Sequence, residues 1–117
     1  MKTLALIAAL CCTAPVQEKD AEGFLSLFNG KDLTGWKLVG DAAKSRWKVG
    51  GAAADPGDQH LLIAQTEGQD LVNVGSGVDL FTEQSFGDAR IEIDVMVAPK
   101  SNSGIYVMGV YEVQVFD

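Results

Sequence analysis

The run from Arg90 to Val97 restricts this chain more than any other stretch of it. Ile91, Ile93, Val95 and Val97 alternate there with Arg90, Glu92, Asp94 and Met96. Successive side chains of an extended backbone point to opposite faces, so a strict period of two builds one β-branched face and one mainly charged face. A helix would scatter both sets around its circumference, and the pattern therefore predicts a strand over Ile91–Val97. Tyr111–Asp117 alternates again, with Val113 and Val115 on one face and Glu112 and Gln114 on the other. Between these two runs, Pro99–Ser103 reads as a turn-rich link and Ile105–Gly109 as the start of a new strand.

Upstream, short apolar runs are separated by turn residues, and 13 glycines punctuate the chain. Phe24–Phe28 reads as a strand closed by Asn29-Gly30, a dipeptide that tolerates positive φ at both positions. Leu33–Val39 begins a second extended piece, broken by Gly40-Asp41. Trp47–Val49 followed by Gly50-Gly51 reads as a short strand and turn. His60–Ala64 is a brief apolar run, and Gly68–Gly77 reads as a loop carrying a strand fragment at Leu71–Val74. Helical spacing is absent from everything after the first twenty or so residues, which leaves an all-β reading for one small domain.

The amino terminus has a different character. Lys2 precedes the apolar run Leu4–Cys12, which is too short to cross a bilayer and has the layout of an export signal. Residues 1–22 are accordingly read as signal peptide and short linker, residues 23–117 as a partial domain, and the destination as periplasmic or extracellular. A buried opening helix is the competing reading, and the polar stretch Gln17–Glu22 argues against it. Both cysteines, Cys11 and Cys12, lie inside the leader, so the mature domain has no disulfide, thiolate metal site or cysteine nucleophile. Lipid anchoring would ask for a small residue before the modified cysteine. Leu10 precedes Cys11 and Cys11 precedes Cys12, so plain export is the expectation, with no stable membrane insertion after the leader is removed.

The chain carries 16 acidic against 9 basic residues, a net charge of −7, and its cations are scattered. Phosphate backbones are held by clustered cations, which argues against a nucleic-acid partner. His60 is the only histidine. A single histidine without cysteines makes no metal site, Gly75-Ser76-Gly77 lacks the strand-to-helix setting of a phosphate loop, and no cofactor is assigned.

Candidate chemistry lies on the polar faces of the carboxyl-terminal strands. Glu92, Asp94, Glu112 and Asp117 are carboxylates able to act as acid or base, and Gln114 and Asn102 can bond hydroxyl groups. Glu112 and Gln114 stand two apart and share a face; this is either a hydrogen-bonding clamp for a ligand or the solvated side of a half-buried sheet. Arg90, Glu92 and Asp94 read first as cross-strand ion pairs. Asp117 has the opposite parity to Glu112. Asn102-Ser103-Gly104 is either a plain turn or a binding loop. Trp36 and Trp47 read first as packed aromatics and second as stacking platforms.

Three blocks then carry a resemblance. Leu27–Trp36, LFNGKDLTGW, resembles the opening of the 3-keto-disaccharide hydrolase family (DUF1080). Phe86-Gly87-Asp88 is similar to the family's FGDFEL element. Asn102–Tyr106 with Tyr111–Asp117, NSGIY and YEVQVFD, is similar to its NSGIY and YEVQVLD signature. The resemblance covers Phe24–Asp117 and the amino-terminal half of a family domain. It implies an incomplete concanavalin A-like jelly-roll sandwich whose concave sheet receives a carbohydrate partner, an oxidised disaccharide or glycoside. It also implies hydrolysis of glycosides of 3-keto sugars. With the resemblance, the sugar-clamp reading of Glu112 and Gln114 is the favoured one, and the expected site is Glu112 and Asp117 as catalytic residues with Gln114, Asn102 and Tyr106 as substrate-binding. Ala89 departs from an aromatic of the family pattern, and Met96 and Met108 stand where many members carry Arg; these changes bear on substrate contacts more than on fold. A non-catalytic carbohydrate-binding module on the same scaffold, or an inactive truncated copy, are the alternatives.

Overall fold

A computed structural model describes residues 19–117, and the apolar leader read at Leu4–Cys12 lies outside the described residues. The described chain forms β1 (Trp36–Val39), β2 (Trp47–Ala54), β3 (Leu62–Asn73), β4 (Asp79–Thr82), β5 (Asn102–Val107) and β6 (Tyr111–Phe116). One 3-10 turn, Ala42–Lys44, completes the regular structure, and no α-helix occurs among the described residues. The strands pair antiparallel as β1–β4, β2–β3 and β5–β6, giving three two-stranded sheets. The fold is all-β, and its sheets are the partial layers of an incomplete sandwich. Every strand keeps one edge without a ladder partner among the described residues. The buried apolar side chains are correspondingly few: Val72 and Ala98, each 2% exposed.

Local hydrogen bonds account for the opening motif. Asn29 Oδ1 accepts from the backbone N–H groups of Lys31 and Asp32 at 2.8 and 3.0 Å, while its Nδ2 donates to Asp32 Oδ1 at 2.7 Å. Asp32 Oδ1 in turn accepts from Thr34 N at 2.9 Å. These side chains replace the partners that a tight reversal strips from the backbone. The chain emerges from this turn into Trp36, whose Nε1–H donates to Leu27 O at 2.8 Å and ties β1 to the segment before the turn. Phe24–Phe28 is therefore not the expected strand. It makes an antiparallel bridge, Leu25 with Lys19, and its Leu27 carbonyl serves the Trp36 indole instead of a neighbouring strand.

β2 and β3 form the longest ladder, and here the reading of Gly50-Gly51 as a turn is overturned. Both glycines continue straight through β2. The pairing passes from Gly50 opposite Asp70 to Gly51 opposite Gln65, so residues 66–69 leave the ladder as an excursion of β3. A side chain on Gly50 would collide with the backbone carbonyl of Gln65, and Gly68 at φ +138 packs directly on Gly51. Glycine marks close backbone approach here, which also extends β3 through most of the expected Gly68–Gly77 loop. Asp70 Oδ2 accepts from Ala52 N at 2.8 Å and supports the resumed register.

The predicted strand at Ile91–Val97 is also absent. Residues 83–101 contain no strand, and Ile91, Ile93 and Val95 are 52%, 59% and 44% exposed. Alternation prepares two faces but does not supply a partner, and no described strand lies alongside this segment. Its start is held elsewhere: the Arg90 guanidinium lies over the Phe24 ring at 5.6 Å and pairs with Glu92 at 2.5 Å. That ion pair runs along the segment, not across two strands as expected.

Candidate functional site

The hairpin β5–β6 gathers most of the expected site residues. Its register sets Asn102 opposite Phe116, Gly104 opposite Gln114, and Tyr106 opposite Glu112. Directly paired residues of an antiparallel ladder share a face, so Asn102, Gly104, Tyr106, Glu112 and Gln114 form one surface. Ile105, Val107, Val113 and Val115 form the other. Asn102-Ser103-Gly104 is thus neither turn nor binding loop; Asn102 opens β5, and the turn lies just before it at Pro99-Lys100.

Glu112 is positioned by two neighbours. Tyr106 stands directly across the ladder, and its interaction with Glu112, hydrogen bonding first and negative charge second, raises the Tyr106 pKa above its ordinary value. The smaller contributions are burial and the charge of Asp79 at the head of β4. Gly104 supplies the second condition. A Cβ at that position would run into the Glu112 carboxylate, so the missing side chain gives the carboxylate its resting place across β5. Gln114 Nε2 donates to Ser103 O at 3.3 Å, which fixes the amide beside Gly104. The face is open, with Tyr106 54% exposed.

Asp117 is not part of this arrangement. Its Oδ2 accepts from Lys100 N at 3.3 Å and its own N–H donates to Ser101 O at 3.2 Å, so it closes the hairpin against the preceding turn. His60 meets the same turn: its Nδ1 lies 2.7 Å from Pro99 O, a contact that the Nδ1–H form makes by donating. Trp36 and Trp47 are half-buried pins, the Trp47 Nε1–H donating to Val78 O at 2.8 Å. Sequence reasoning missed Asp79, because a lone acid at a strand end carries no local signal, and Gly104, because its neighbourhood looks like an ordinary turn. A separate shallow cleft of about 380 Å³ is lined by Ala43, Lys44, Arg46, Ser76 and Gly77. It offers cations and no carboxylate base, so the hairpin face is the better seat for acid–base chemistry. Among the described residues no group of three or more His, Cys, Asp or Glu could hold a metal ion. No helix of the described residues is long and apolar enough to cross a membrane.

Comparison with known families gives a match to the 3-keto-alpha-glucoside-1,2-lyase-like domain over residues 23–117. The chain belongs to this family. A member of the 3-keto-alpha-glucoside-1,2-lyase-like family therefore carries the Tyr106–Glu112 pair on an open sheet face. A curated relative, a 3-keto-disaccharide hydrolase of Bacteroides thetaiotaomicron, is 31% identical over 90 residues. The match takes in 76% of this chain and 28% of that protein, so the chain spans about a quarter of its relative's length. No solved structure matches the chain.

Proposed function

We propose that this domain cleaves glycosides of 3-keto sugars, with Glu112 as the base. A ketone at C3 acidifies the hydrogen on C2. A carboxylate removes that proton, the electron pair forms a C1–C2 double bond, and the group on C1 departs with its oxygen. Water then adds across the double bond, and the net change is hydrolysis. The family description, a lyase acting across positions 1 and 2, agrees with such an elimination. The observation that carries the reading is the Glu112 carboxylate lying over Gly104 and opposite Tyr106 on an exposed face. A tyrosine kept protonated remains a hydrogen-bond donor, suited to an oxygen that gains charge as the proton leaves. Gln114 and Asn102, on the same face, are the hydroxyl-binding groups.

Export to the periplasm or beyond, through the leader at the amino terminus, completes the proposal and would place the domain among extracellular sugars. The test is turnover of a 3-keto-glucoside by the full chain, read as free 3-keto sugar. Glu112→Gln is expected to lower the rate by about 10²- to 10⁴-fold, the usual contribution of a general base. Saturable sugar binding with no turnover would replace this reading by that of a carbohydrate-binding module, which the open Tyr106 ring would also serve.

A further inference from the structure

We propose that Ile91–Val97 closes on the free edge of β5 as a third antiparallel strand and brings Asp94 opposite Tyr106, where it protonates the departing oxygen. The protonation half rests on the elimination reading above; the closure does not.

The register follows from two turns. At Val107–Val110, Val110 N donates to Val107 O at 3.3 Å and the ladder resumes with Val107 opposite Tyr111. At Ala98–Ser101, Ser101 N donates to Ala98 O at 3.0 Å, with Lys100 at φ 57° in the third position, where the other turn has Gly109 at φ 68°. A reversal of the same length sets Ala98 opposite Asn102, and side-chain parity selects that register. Counting back, Met96 faces Gly104, Val95 faces Ile105, Asp94 faces Tyr106 and Ile93 faces Val107. Side-chain parity agrees: Ile93, Val95 and Val97 join Ile105, Val107, Val113 and Val115 on one face. A one-residue slip would put those aliphatic groups around Tyr106 and drive Asp94 among the valines.

The pivot is already anchored. His60 holds Pro99 O, Asp117 holds Lys100 N and Ser101 O, and Ala98 is 2% exposed. What ties the start of the segment elsewhere is weaker: a cation over one ring, the Arg90 guanidinium on Phe24. Strands lie about 4.8 Å apart, so Asp94 and Glu112 would flank Tyr106 from the two outer strands of the closed sheet. In the step itself Glu112 takes the C2 proton, the C1–O bond breaks, and the departing oxygen takes its proton from Asp94.

Closure is tested by cross-linking in the full chain with Cys11 and Cys12 replaced by Ser. Ile93→Cys with Val107→Cys, both on the apolar face, is expected to oxidise to a disulfide about tenfold or more faster than the parity control Asp94→Cys with Val107→Cys. Hydrogen exchange of the unsubstituted chain supplies an independent measure: alternate amides of residues 91–97 are expected to exchange about tenfold or more slowly than those of residues 83–86. Equal oxidation of the two pairs together with unprotected amides overturns the closure. Asp94→Asn is expected to slow an alkyl 3-keto-glucoside about 10²-fold while leaving a nitrophenyl 3-keto-glucoside, whose leaving group needs no proton, within a few-fold. Equal slowing of both substrates overturns the acid role. A chain that cross-links as stated yet turns over neither sugar overturns the functional reading and the acid role together, and leaves the closure standing.

Discussion

Tyr106 and Glu112 act on each other as a phenol and a carboxylate must when they share one proton between them. The hydrogen bond and the charge of Glu112 both disfavour phenolate, so Tyr106 ionises above its ordinary value of 10.0. Glu112→Gln is expected to move the Tyr106 transition down toward that value, read by phenolate absorbance in a Tyr111→Phe background. The sign for stability follows: the contribution of Tyr106 is complete below the unfolded value and is lost as pH rises through the raised one. Gly104→Ala tests the other support. The added methyl meets the far end of a flexible side chain, so folding should change little while the Glu112 carboxylate is displaced and turnover falls. A matching loss of stability and turnover would contradict that account. Asp32 gives the opposite titration. Its bonds from Thr34 and Asn29 lower its pKa from 3.8 to about 2. The stabilisation it lends the opening turn is therefore present above pH 4 and lost as pH falls toward 2, a dependence that Asp32→Asn should remove from an acid titration.

At the scale of elements, the chain shows which signals in a sequence are local and which are not. Tyr111–Phe116 was legible because its alternation and its turn partner lie within a few residues, and the shared face of Glu112 and Gln114 followed at once. Ile91–Val97 carries an equally clear pattern and stands unpaired, since periodicity says nothing about which edge is free to receive it. Gly50-Gly51 misled for a related reason. A Gly-Gly pair is a turn signal in its own neighbourhood, whereas the need for glycine here comes from Gln65 and Gly68, more than a dozen residues on. The hairpin turn also holds a mismatch that the sequence alone conceals: Met108 adopts φ 57° beside Gly109 at φ 68°. A side chain in the left-handed region is disfavoured by about 1–2 kcal/mol, so Met108→Gly should stabilise β5–β6 by about 1 kcal/mol in denaturant titrations. Trp36→Phe removes the indole donor to Leu27 O, and a loss of about 1 kcal/mol is expected in the same measurement.

For the molecule as a whole, the all-β class was legible from composition and turn spacing, while the division into three separate ladders was not. Large apolar side chains stay open to water along the hairpin, among them Val110 at 73%, Phe116 at 72% and Tyr111 at 65% exposure. With Val72 and Ala98 as the buried apolar groups among the described residues, little cooperative energy links one ladder to the next. The 117-residue chain is accordingly expected to melt over a broad range and to enhance the fluorescence of a hydrophobic dye such as ANS. A sharp calorimetric transition without dye binding would show that the exposed faces are covered in solution.

The excursion at residues 66–69 has a bearing on how this scaffold tolerates change. Where every residue of a strand is paired, one added amino acid turns all later side chains over and ruins the interior. Here the slack is already taken up outside the ladder, between two stretches whose pairing is fixed independently. Extra residues introduced at this point should be accepted in odd or even number, making it a natural port for grafted peptides or reporter groups.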